Sequence, residues 1–418
     1  MKDCLLLLTK TFPFDKGEEF IEDEIAILAK EFQKVILIAT STADQPEQTR
    51  SVPENVSVHF IPASKVKRGL AGAMARQFPF KDYKGYSGKD ERRAVKGSLK
   101  KRLYLSYFIA KSEIVYDESV KILAKYAMEK FDGSTFYSYW FYDTAMVAAK
   151  LKKYYGAING RVVCRAHGYD LYAYRNSMNY LPLRYYILKN VDMVYPCSNN
   201  GSEYLKERYP DYENKIQTAY LGTRDFGTKD ASGDGPFHIV SCCHIVPLKR
   251  VDLLAQALSK LSGSGLKLKW THFGGGDALE ELKRYAAENL QFMDWKFAGA
   301  VRNSELMEFY KNTPVDLFVN TSSTEGIPVS IMEACSFGIP AVATNVGGTG
   351  EIVKDGETGF LVPADITPDK LAETIRSVVS LPAENMAKLR KNCRELYLQS
   401  FCAETNFAKF AKLIKPIS

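Results

Sequence analysis

Two glutamates, Glu325 and Glu333, stand eight positions apart in TSSTEGIPVSIMEACSFGIPAVATNVGG, the stretch that covers residues 321–348. The pattern predicts a strand that ends near Thr321, a polar turn, and a helix whose first turn contains Pro328. Glu325 then lies on the loop before the helix, and Glu333 lies within the helix. Carboxylates in these positions can accept hydrogen bonds from the hydroxyl groups of a sugar.

Two glycine-bearing turns in the same stretch are suited to an anion. Backbone N–H groups around Gly326 and Ile327 come at the start of the predicted helix, where no preceding carbonyl pairs with them. A second turn of this kind follows AVATNV, with Gly347 and Gly348 ahead of Glu351. Phosphate-binding turns together with carboxylates indicate a nucleotide sugar. Taken alone, each feature also fits a solvated helix residue or a glycine that only turns the chain.

The composition bounds the class of protein that carries these residues. The chain has 418 residues, 46% of them apolar and 25% charged, which is typical of a globular protein with two domains. Its eight cysteines form no CxxC pair, so we expect a reducing compartment, no disulfides and no zinc site. The apolar run in MKDCLLLLTK is too short for a signal peptide or a membrane span. We therefore expect a protein that is cytoplasmic, or that is attached to a membrane only peripherally, at the inner face of the plasma membrane.

Short apolar runs alternate with helical patterns along almost the whole chain, which predicts an α/β fold with parallel sheets. We expect a first domain over residues 1–222, a linker in GTRDFGTKDASGDGP, and a second domain over 236–399. A helix over about 400–418 could cross back onto the first domain, and a cleft between the domains would hold the site. The predicted strands are CLLLLT, KVILIAT, VSVHFI, TFYSYW, RVVCRAH, DMVYPCS and IQTAYLG, then FHIVSCC, LKLKWTHFGG, WKFAGAV, VDLFVNT, AVATNV and GFLVP.

The stretch SSTEGIPVSIMEACSFGIPAVATNVGGTGEIVKDGETGFLV resembles the donor-site signature of glycosyltransferase family 4. The likeness continues in FAGAVRNSELMEFY and SCCHIVPLKRVDLLAQAL, and in the first half it covers only FPFDKGEEF and RAHGYD. The resemblance implies the GT-B fold, with two Rossmann-like domains facing each other across a cleft. It also implies a retaining, metal-independent hexosyltransferase without a cofactor. Its donor would be UDP- or GDP-linked, its acceptor a glycan or a lipid-linked sugar, and its process surface polysaccharide biosynthesis.

The resemblance implies a role for each residue that matches the family motifs. Glu325 would hold hydroxyls of the donor sugar, Lys249 would neutralise the leaving diphosphate, and His167 would lie near the reacting sugar. Glu333 would bind the ribose, and the backbone of Val301 would meet the nucleobase. No residue is expected to act as a dedicated general base. Further contacts to the donor would come from Gly326, Ile327, Pro328, Gly347, Gly348 and, beside the phosphates in the first loop, Gly17.

Three positions depart from the family pattern. His244 stands five positions before Lys249, where the family usually has arginine, and Arg250 stands where glycine is common. Because histidine is largely neutral at pH 7, stabilisation of the diphosphate is weaker or Arg250 compensates. The first loop has the single Gly17 in place of a glycine pair. These departures leave open a non-catalytic, glycosyltransferase-like accessory subunit, and a sugar-nucleotide 2-epimerase with the same two-domain fold is the other alternative.

Positive charge concentrates in residues 65–111, which contain 14 Lys or Arg against 3 Asp or Glu. Aromatic residues are interleaved with these cations, among them Phe78, Phe80, Tyr83 and Tyr107. Such a segment can lie on anionic lipid headgroups, and it can equally be a solvated helical surface that only confers solubility. No nucleic-acid-binding module is recognised, so nucleic acid is not an expected partner.

Overall fold

The computed structural model describes residues 3–15, 17–18, 20–75, 88–126, 131–228 and 235–416. Two parts of the sequence-based predictions, residues 76–87 of the basic segment and 229–234 of the linker, lie outside the described residues. The chain forms two compact units. The N-terminal unit comprises Met1–Tyr220 and Glu404–Ser418, and the C-terminal unit comprises Leu221–Ala403.

A six-stranded parallel sheet is the centre of the N-terminal unit, with strand order β3-β2-β1-β4-β5-β6. The central strand β1 is buried along its whole length, because helices cover both faces of the sheet. The strands are β1 (Cys4–Thr9), β2 (Lys34–Thr42), β3 (Val56–Pro62), β4 (Thr135–Ser138), β5 (Arg161–Ala166) and β6 (Met193–Pro196), and the helices are α1 (Ile21–Glu31), α2 (Ala63–Ala75), α3 (Lys89–Val95), α4 (Leu99–Leu123), α5 (Asp143–Tyr154), α6 (Arg184–Asn190) and α7 (Asn199–Arg208).

The C-terminal unit repeats this plan with the strand order β12-β11-β10-β7-β8-β9, again entirely parallel. Its strands are β7 (Phe237–Cys242), β8 (Leu268–Phe273), β9 (Asp294–Gly299), β10 (Leu317–Asn320), β11 (Ala341–Thr344) and β12 (Gly359–Val362). Its helices are α8 (Val251–Ser259), α9 (Leu279–Asn289), α10 (Asn303–Asn312), α11 (Val329–Ser336), α12 (Thr349–Ile352), α13 (Pro368–Val379) and α14 (Ala383–Ser400). From Glu404 onward, the final helix α15 (Ala403–Ile414) belongs to the N-terminal unit.

The last helix, α15, packs on the sheet of the N-terminal unit. Phe410, Ala411 and Ile414 are buried in the core on one face of that sheet. The carbonyl of Ile414 accepts a hydrogen bond from the hydroxyl of Thr135 in β4 at 2.8 Å. In the part of the chain that the structure describes, no helix is long and apolar enough to cross a bilayer.

The predicted α/β class is confirmed, and twelve of the thirteen predicted strands are present. The predicted strand IQTAYLG is wrong. Ile216 forms one isolated bridge with Val194, and Gln217 and Ala219 donate hydrogen bonds to the carbonyls of Val194 and Pro196. The segment follows the edge strand β6 for only these few residues, so no continuous ladder forms.

Candidate functional site

An ion pair lies at the carboxyl ends of two neighbouring strands of the C-terminal unit. Lys249 is the last residue of a one-turn 3-10 helix, Pro247–Lys249, that follows β7, and Glu325 lies on the loop after β10. Lys249 Nζ donates a hydrogen bond to Glu325 Oε1 at 2.6 Å, and Asn320 Nδ2 approaches the same oxygen at 3.4 Å. Glu325 is 7% exposed, so its carboxylate is buried beside the lysine. The structure thus brings together two of the predicted catalytic residues.

Backbone contacts between the two loops fix this arrangement. The amide and hydroxyl of Ser323 both donate to the carbonyl of Leu248, at 2.8 and 3.1 Å. The hydroxyl of Thr321 contacts the carbonyls of Lys249 and Arg250 at 3.0 and 2.8 Å. Arg250, which has a φ of 48°, returns a bond from Nε to the carbonyl of Thr321 at 2.7 Å. The guanidinium of Arg250 therefore braces the loop after β10, and the exposed His244 lies earlier in the loop after β7.

The two predicted glycine turns meet beside the ion pair. The amide of Gly348 donates to the carbonyl of Gly326 at 2.8 Å. Gly347 has a φ of 54°, and a Cβ atom at this position would lie 1.9 Å from the carbonyl oxygen of Glu325. Only glycine allows such a close approach of two backbones, so Gly347 determines where the Glu325 loop lies.

Helix α11 begins at Val329, with Pro328 as its N-cap rather than inside its first turn as the sequence predicted. No side chain caps this end of the helix, and Ile327, just before it, is buried. The first N–H groups of a helix have no carbonyl partner within it and carry partial positive charge. This end of α11 follows Glu325 by four residues and is suited to an anion.

Glu333 lies inside α11, as predicted, and is 8% exposed. Its Oε1 accepts a hydrogen bond from Asn303 Nδ2 at 2.6 Å. Asn303 is the first residue of α10 and follows Val301 by two positions, so the structure places Val301 and Glu333 in the same region. Burial and then the charge of Glu333 raise the pKa of Cys242 at the end of β7, which keeps this thiol neutral. Asn303 was not among the predicted site residues, although a polar residue at a helix start two positions after Val301 was a usable signal.

In the N-terminal unit, His167 follows β5 and sits among aromatic rings. Its ring is stacked on Tyr139 with centroids 4.8 Å apart, and it lies 4.6 Å from Trp140 and 6.0 Å from Phe20. We call these three rings around His167 the histidine cage. The side chain of His167 is 12% exposed, and its Nδ1 lies 3.7 Å from Asp170 Oδ2. Among the described residues, Nε2 has no hydrogen-bond partner, so this nitrogen keeps its hydrogen-bonding capacity for a ligand.

Asp170 fixes the backbone around this histidine. Its Oδ1 accepts from the amide of His167 at 2.8 Å, and its Oδ2 accepts from the amide of Phe141 at 2.9 Å. Arg184 donates to the carbonyls of Asp170 and Phe141. Burial acts to raise the pKa of Asp170, but hydrogen bonding and charge from His167 outweigh it and leave this pKa below its usual range. Asp170 was not among the predicted site residues, although HGYD places it three residues after the histidine.

The first loop, with Gly17, forms a nest of backbone N–H groups that already holds a carboxylate. The amides of Lys10, Thr11 and Phe12 all point at Glu18, with N···O distances of 3.0, 2.6 and 2.7 Å. Trp140 Nε1 of the histidine cage donates to the same carboxylate. Three successive amides form an anion-binding concavity, which Glu18 fills here. Gly17 itself has a φ of 101°.

The geometry of the C-terminal unit agrees with its similarity to known proteins. Residues 226–396 match the family described as glycosyl transferases group 1. A glycosyltransferase named for colanic acid biosynthesis in Salmonella typhimurium, WcaL, is 26% identical over 286 residues, 66% of this chain and 69% of that protein. The O-antigen biosynthesis glycosyltransferase WbnH of Escherichia coli is 36% identical over 116 residues, 27% of this chain and 30% of that protein. The similarity to the glycosyl transferases of group 1 therefore lies in residues 226–396, about two fifths of the chain.

Solved structures agree on the fold. HepE of Anabaena, solved with UDP and glucose, superposes with a TM-score of 0.67 at 17% identity, and 99% of each chain is covered. A sucrose-phosphate synthase of Thermosynechococcus elongatus gives a TM-score of 0.70 at 18% identity, with 98% of each chain covered. The predicted GT-B fold with its two Rossmann-like units is thereby confirmed.

Proposed function

We propose that the chain is a retaining glycosyltransferase of family 4 that transfers a hexose from a nucleotide diphosphate sugar to a glycan or lipid-linked acceptor. The observation that carries the proposal is the Lys249–Glu325 pair, set where the two glycine turns meet and four residues before the open end of α11. The cation and the free amides suit the two phosphates of a sugar diphosphate, and the carboxylate suits the hydroxyl groups of its sugar. The names of the relatives support a place in surface polysaccharide biosynthesis. The proposal places this step on the cytoplasmic side of the membrane.

Transfer breaks the bond between the sugar anomeric carbon and the diphosphate oxygen. Negative charge then develops on the leaving diphosphate, and positive charge develops on the sugar. In the proposal the ammonium of Lys249 and the amides at the start of α11 stabilise the diphosphate. Glu325 accepts hydrogen bonds from sugar hydroxyls and offsets the charge on the ring. The acceptor oxygen bonds to the anomeric carbon on the face from which the diphosphate leaves, and the leaving phosphate takes the proton of the acceptor hydroxyl, so no dedicated base is needed. Lys249 and the amides would take the place of a metal ion beside the diphosphate.

The nucleotide would lie along Glu333, Asn303 and Val301. Ribose hydroxyls would donate to the Glu333 carboxylate, whose position Asn303 fixes with its 2.6 Å hydrogen bond. Several similar structures were solved with UDP or UDP-glucose, which makes a UDP sugar the first donor to test and a GDP sugar the second. His167 in its cage, with Nδ1 facing Asp170 and Nε2 available, would contact the reacting sugar.

Thermal unfolding of the purified chain with UDP, GDP and ADP tests the nucleotide assignment. One nucleotide at a hundred times its Kd is expected to stabilise the chain by about 2.7 kcal/mol. Glu333→Ala removes charge-assisted hydrogen bonds to the ribose, so we expect binding to weaken by about 10- to 100-fold and the stabilisation at the same nucleotide concentration to fall to about 0.4–1.4 kcal/mol. Glu373→Ala, on the exposed side of α13, is the control and should keep the full shift.

Each alternative function predicts a different result when the chain is incubated with these nucleotides and the corresponding nucleotide sugars. A full shift in Glu333→Ala would show that the ribose assignment is wrong. An accessory subunit would bind none of the nucleotides and would cleave none of the corresponding sugars. An epimerase would return the donor with its sugar altered and still attached to the nucleotide.

A further inference from the structure

The first half of α4 exposes a stripe of large apolar side chains. Leu99, Leu103 and Tyr107 are 64%, 38% and 38% exposed, whereas Leu105, Phe108 and Ile109 on the same helix are buried. The three exposed residues are spaced four apart, so they lie along one side of the helix. We call them the α4 stripe. Residues of this size are normally covered when they line up on a surface, which points to a partner for this face.

Cations surround the α4 stripe. Residues 88–112 contain eight Lys or Arg and two Asp or Glu, and one of these acids, Glu91, is buried. Lys111 pairs with Asp143 at 2.7 Å. Within the described ranges, no ion pair is formed by the six other cations nearest the stripe in sequence, which are Arg92, Arg93, Lys96, Lys100, Lys101 and Arg102.

Buried contacts hold this charged segment in place. Glu91 accepts hydrogen bonds from the amide of Leu183 at 3.1 Å and from the hydroxyl of Tyr180. Val95 is buried as well, so α3 is anchored on one side while Arg92 and Arg93 stay exposed on the other. Ser98 caps α4 by accepting from the amide of Lys101 at 3.3 Å. The cations therefore belong to an ordered, anchored surface.

We propose that the α4 stripe and its flanking cations dock on a membrane surface rich in anionic phospholipid. Apolar side chains that enter the headgroup boundary and Lys or Arg that contact lipid phosphates are the two components of interfacial helix binding. An acidic protein surface or nucleic acid would satisfy the cations and would leave the leucines exposed to water. The docking goes beyond the proposed function and does not depend on the transfer reaction.

An aromatic run connects this face with the histidine cage. Tyr107 is stacked on Tyr104 at 6.4 Å, and the hydroxyl of Tyr104 is hydrogen-bonded to that of Tyr142. Tyr142 then meets Tyr169 at 5.9 Å, and Tyr169 meets Trp140 of the cage at 4.8 Å. If the proposed transfer reaction holds, an acceptor in the membrane on which the chain is docked lies against the unit that carries His167, the N-terminal unit. This consequence alone rests on the proposed function.

Co-sedimentation of the full chain with lipid vesicles tests the docking. We expect binding to vesicles with 30% phosphatidylglycerol at low salt, and none to pure phosphatidylcholine. Lys100→Glu/Arg102→Glu should weaken the partition coefficient at least about 25-fold, since each cation near the surface contributes about fivefold. Leu99→Ser/Leu103→Ser should weaken it roughly tenfold, with less dependence on salt than the charge variant shows.

Matched variants separate docking from general charge and apolarity. Lys311→Glu/Lys388→Glu makes the same charge change on exposed residues of the C-terminal unit, and Ile158→Ser removes an 88% exposed apolar residue elsewhere on the N-terminal unit. Both should bind vesicles as the unmodified chain does. The proposal is overturned if the unmodified chain does not bind anionic vesicles, if the two α4 variants bind like these controls, or if the face retains nucleic acid but not vesicles. Nucleotide binding by the α4 variants, measured by thermal unfolding, checks that they fold, and its absence in every variant would instead count against the proposed function.

Discussion

Replacing Lys249 by alanine is expected to lower kcat for donor cleavage by about 10²- to 10³-fold, the usual cost of one group that stabilises charge in a transition state. The ammonium lies 2.6 Å from Glu325 in a partly buried place, so its charge is poorly screened by water. Its loss should affect kcat more than KM, because the charge on the leaving diphosphate grows as the bond breaks. Steady-state release of the nucleoside diphosphate measures the effect.

The matched control is Lys260→Ala, which removes a half-exposed lysine that pairs with Asp369 at 3.3 Å on the surface of the same unit. It should leave kcat unchanged, because exposed ion pairs contribute little. Since the contacts of Thr321 go to backbone carbonyls of Lys249 and Arg250, the alanine variant keeps the loop anchored. A Lys249→Ala enzyme that keeps kcat within threefold of the unmodified chain would remove this residue from the mechanism.

Gly347→Ala is expected to destabilise the C-terminal unit by about 3–5 kcal/mol and to abolish donor binding. The added Cβ would lie 1.9 Å from the carbonyl oxygen of Glu325, so two backbones must separate. The loop that moves carries Glu325 and leads into α11, so the site is lost along with the stability. Urea unfolding followed by tryptophan fluorescence measures the change, since two of the chain's three tryptophans, Trp270 and Trp295, lie in this unit.

Gly356→Ala controls for backbone strain alone. Gly356 has a φ of 72°, close in kind to the 54° of Gly347, and its added Cβ would meet nothing within 4 Å. The variant should lose only about 1–2 kcal/mol, the usual cost of a left-handed conformation in a non-glycine residue. Equal losses in the two variants would mean that the contact with Glu325 has no effect of its own.

The sequence predicted the sheets well because buried parallel strands appear as continuous apolar runs. CLLLLT matches β1 residue for residue, and GFLVP includes all of β12. The strand predicted for IQTAYLG is wrong although its alternation of polar and apolar residues is compatible with a strand. Strand formation also requires a partner edge along the whole length of the segment. Local patterns carry no information about that distant edge.

The candidate site was partly predictable because the strands that precede its loops are recognisable as apolar runs. The loops that carry Lys249 and Glu325 follow strands that the sequence identifies, so their meeting at one sheet edge could be expected. The hydrogen-bond partners of the site's side chains could not be predicted from the sequence. Asn303 reaches Glu333 across 30 positions of sequence, and Trp140 reaches Glu18 across 122. Such contacts depend on packing between elements, which spacing along the chain does not determine.

The most direct test of the central claim is proton NMR of donor turnover by the purified chain. With its preferred nucleotide diphosphate sugar, the chain should release nucleoside diphosphate. The sugar product that appears first should have the same anomeric configuration as the donor. The signal of the anomeric proton reports this before mutarotation mixes the anomers. A first product with inverted configuration, or no cleavage of any donor under conditions where the nucleotide binds, would contradict the account.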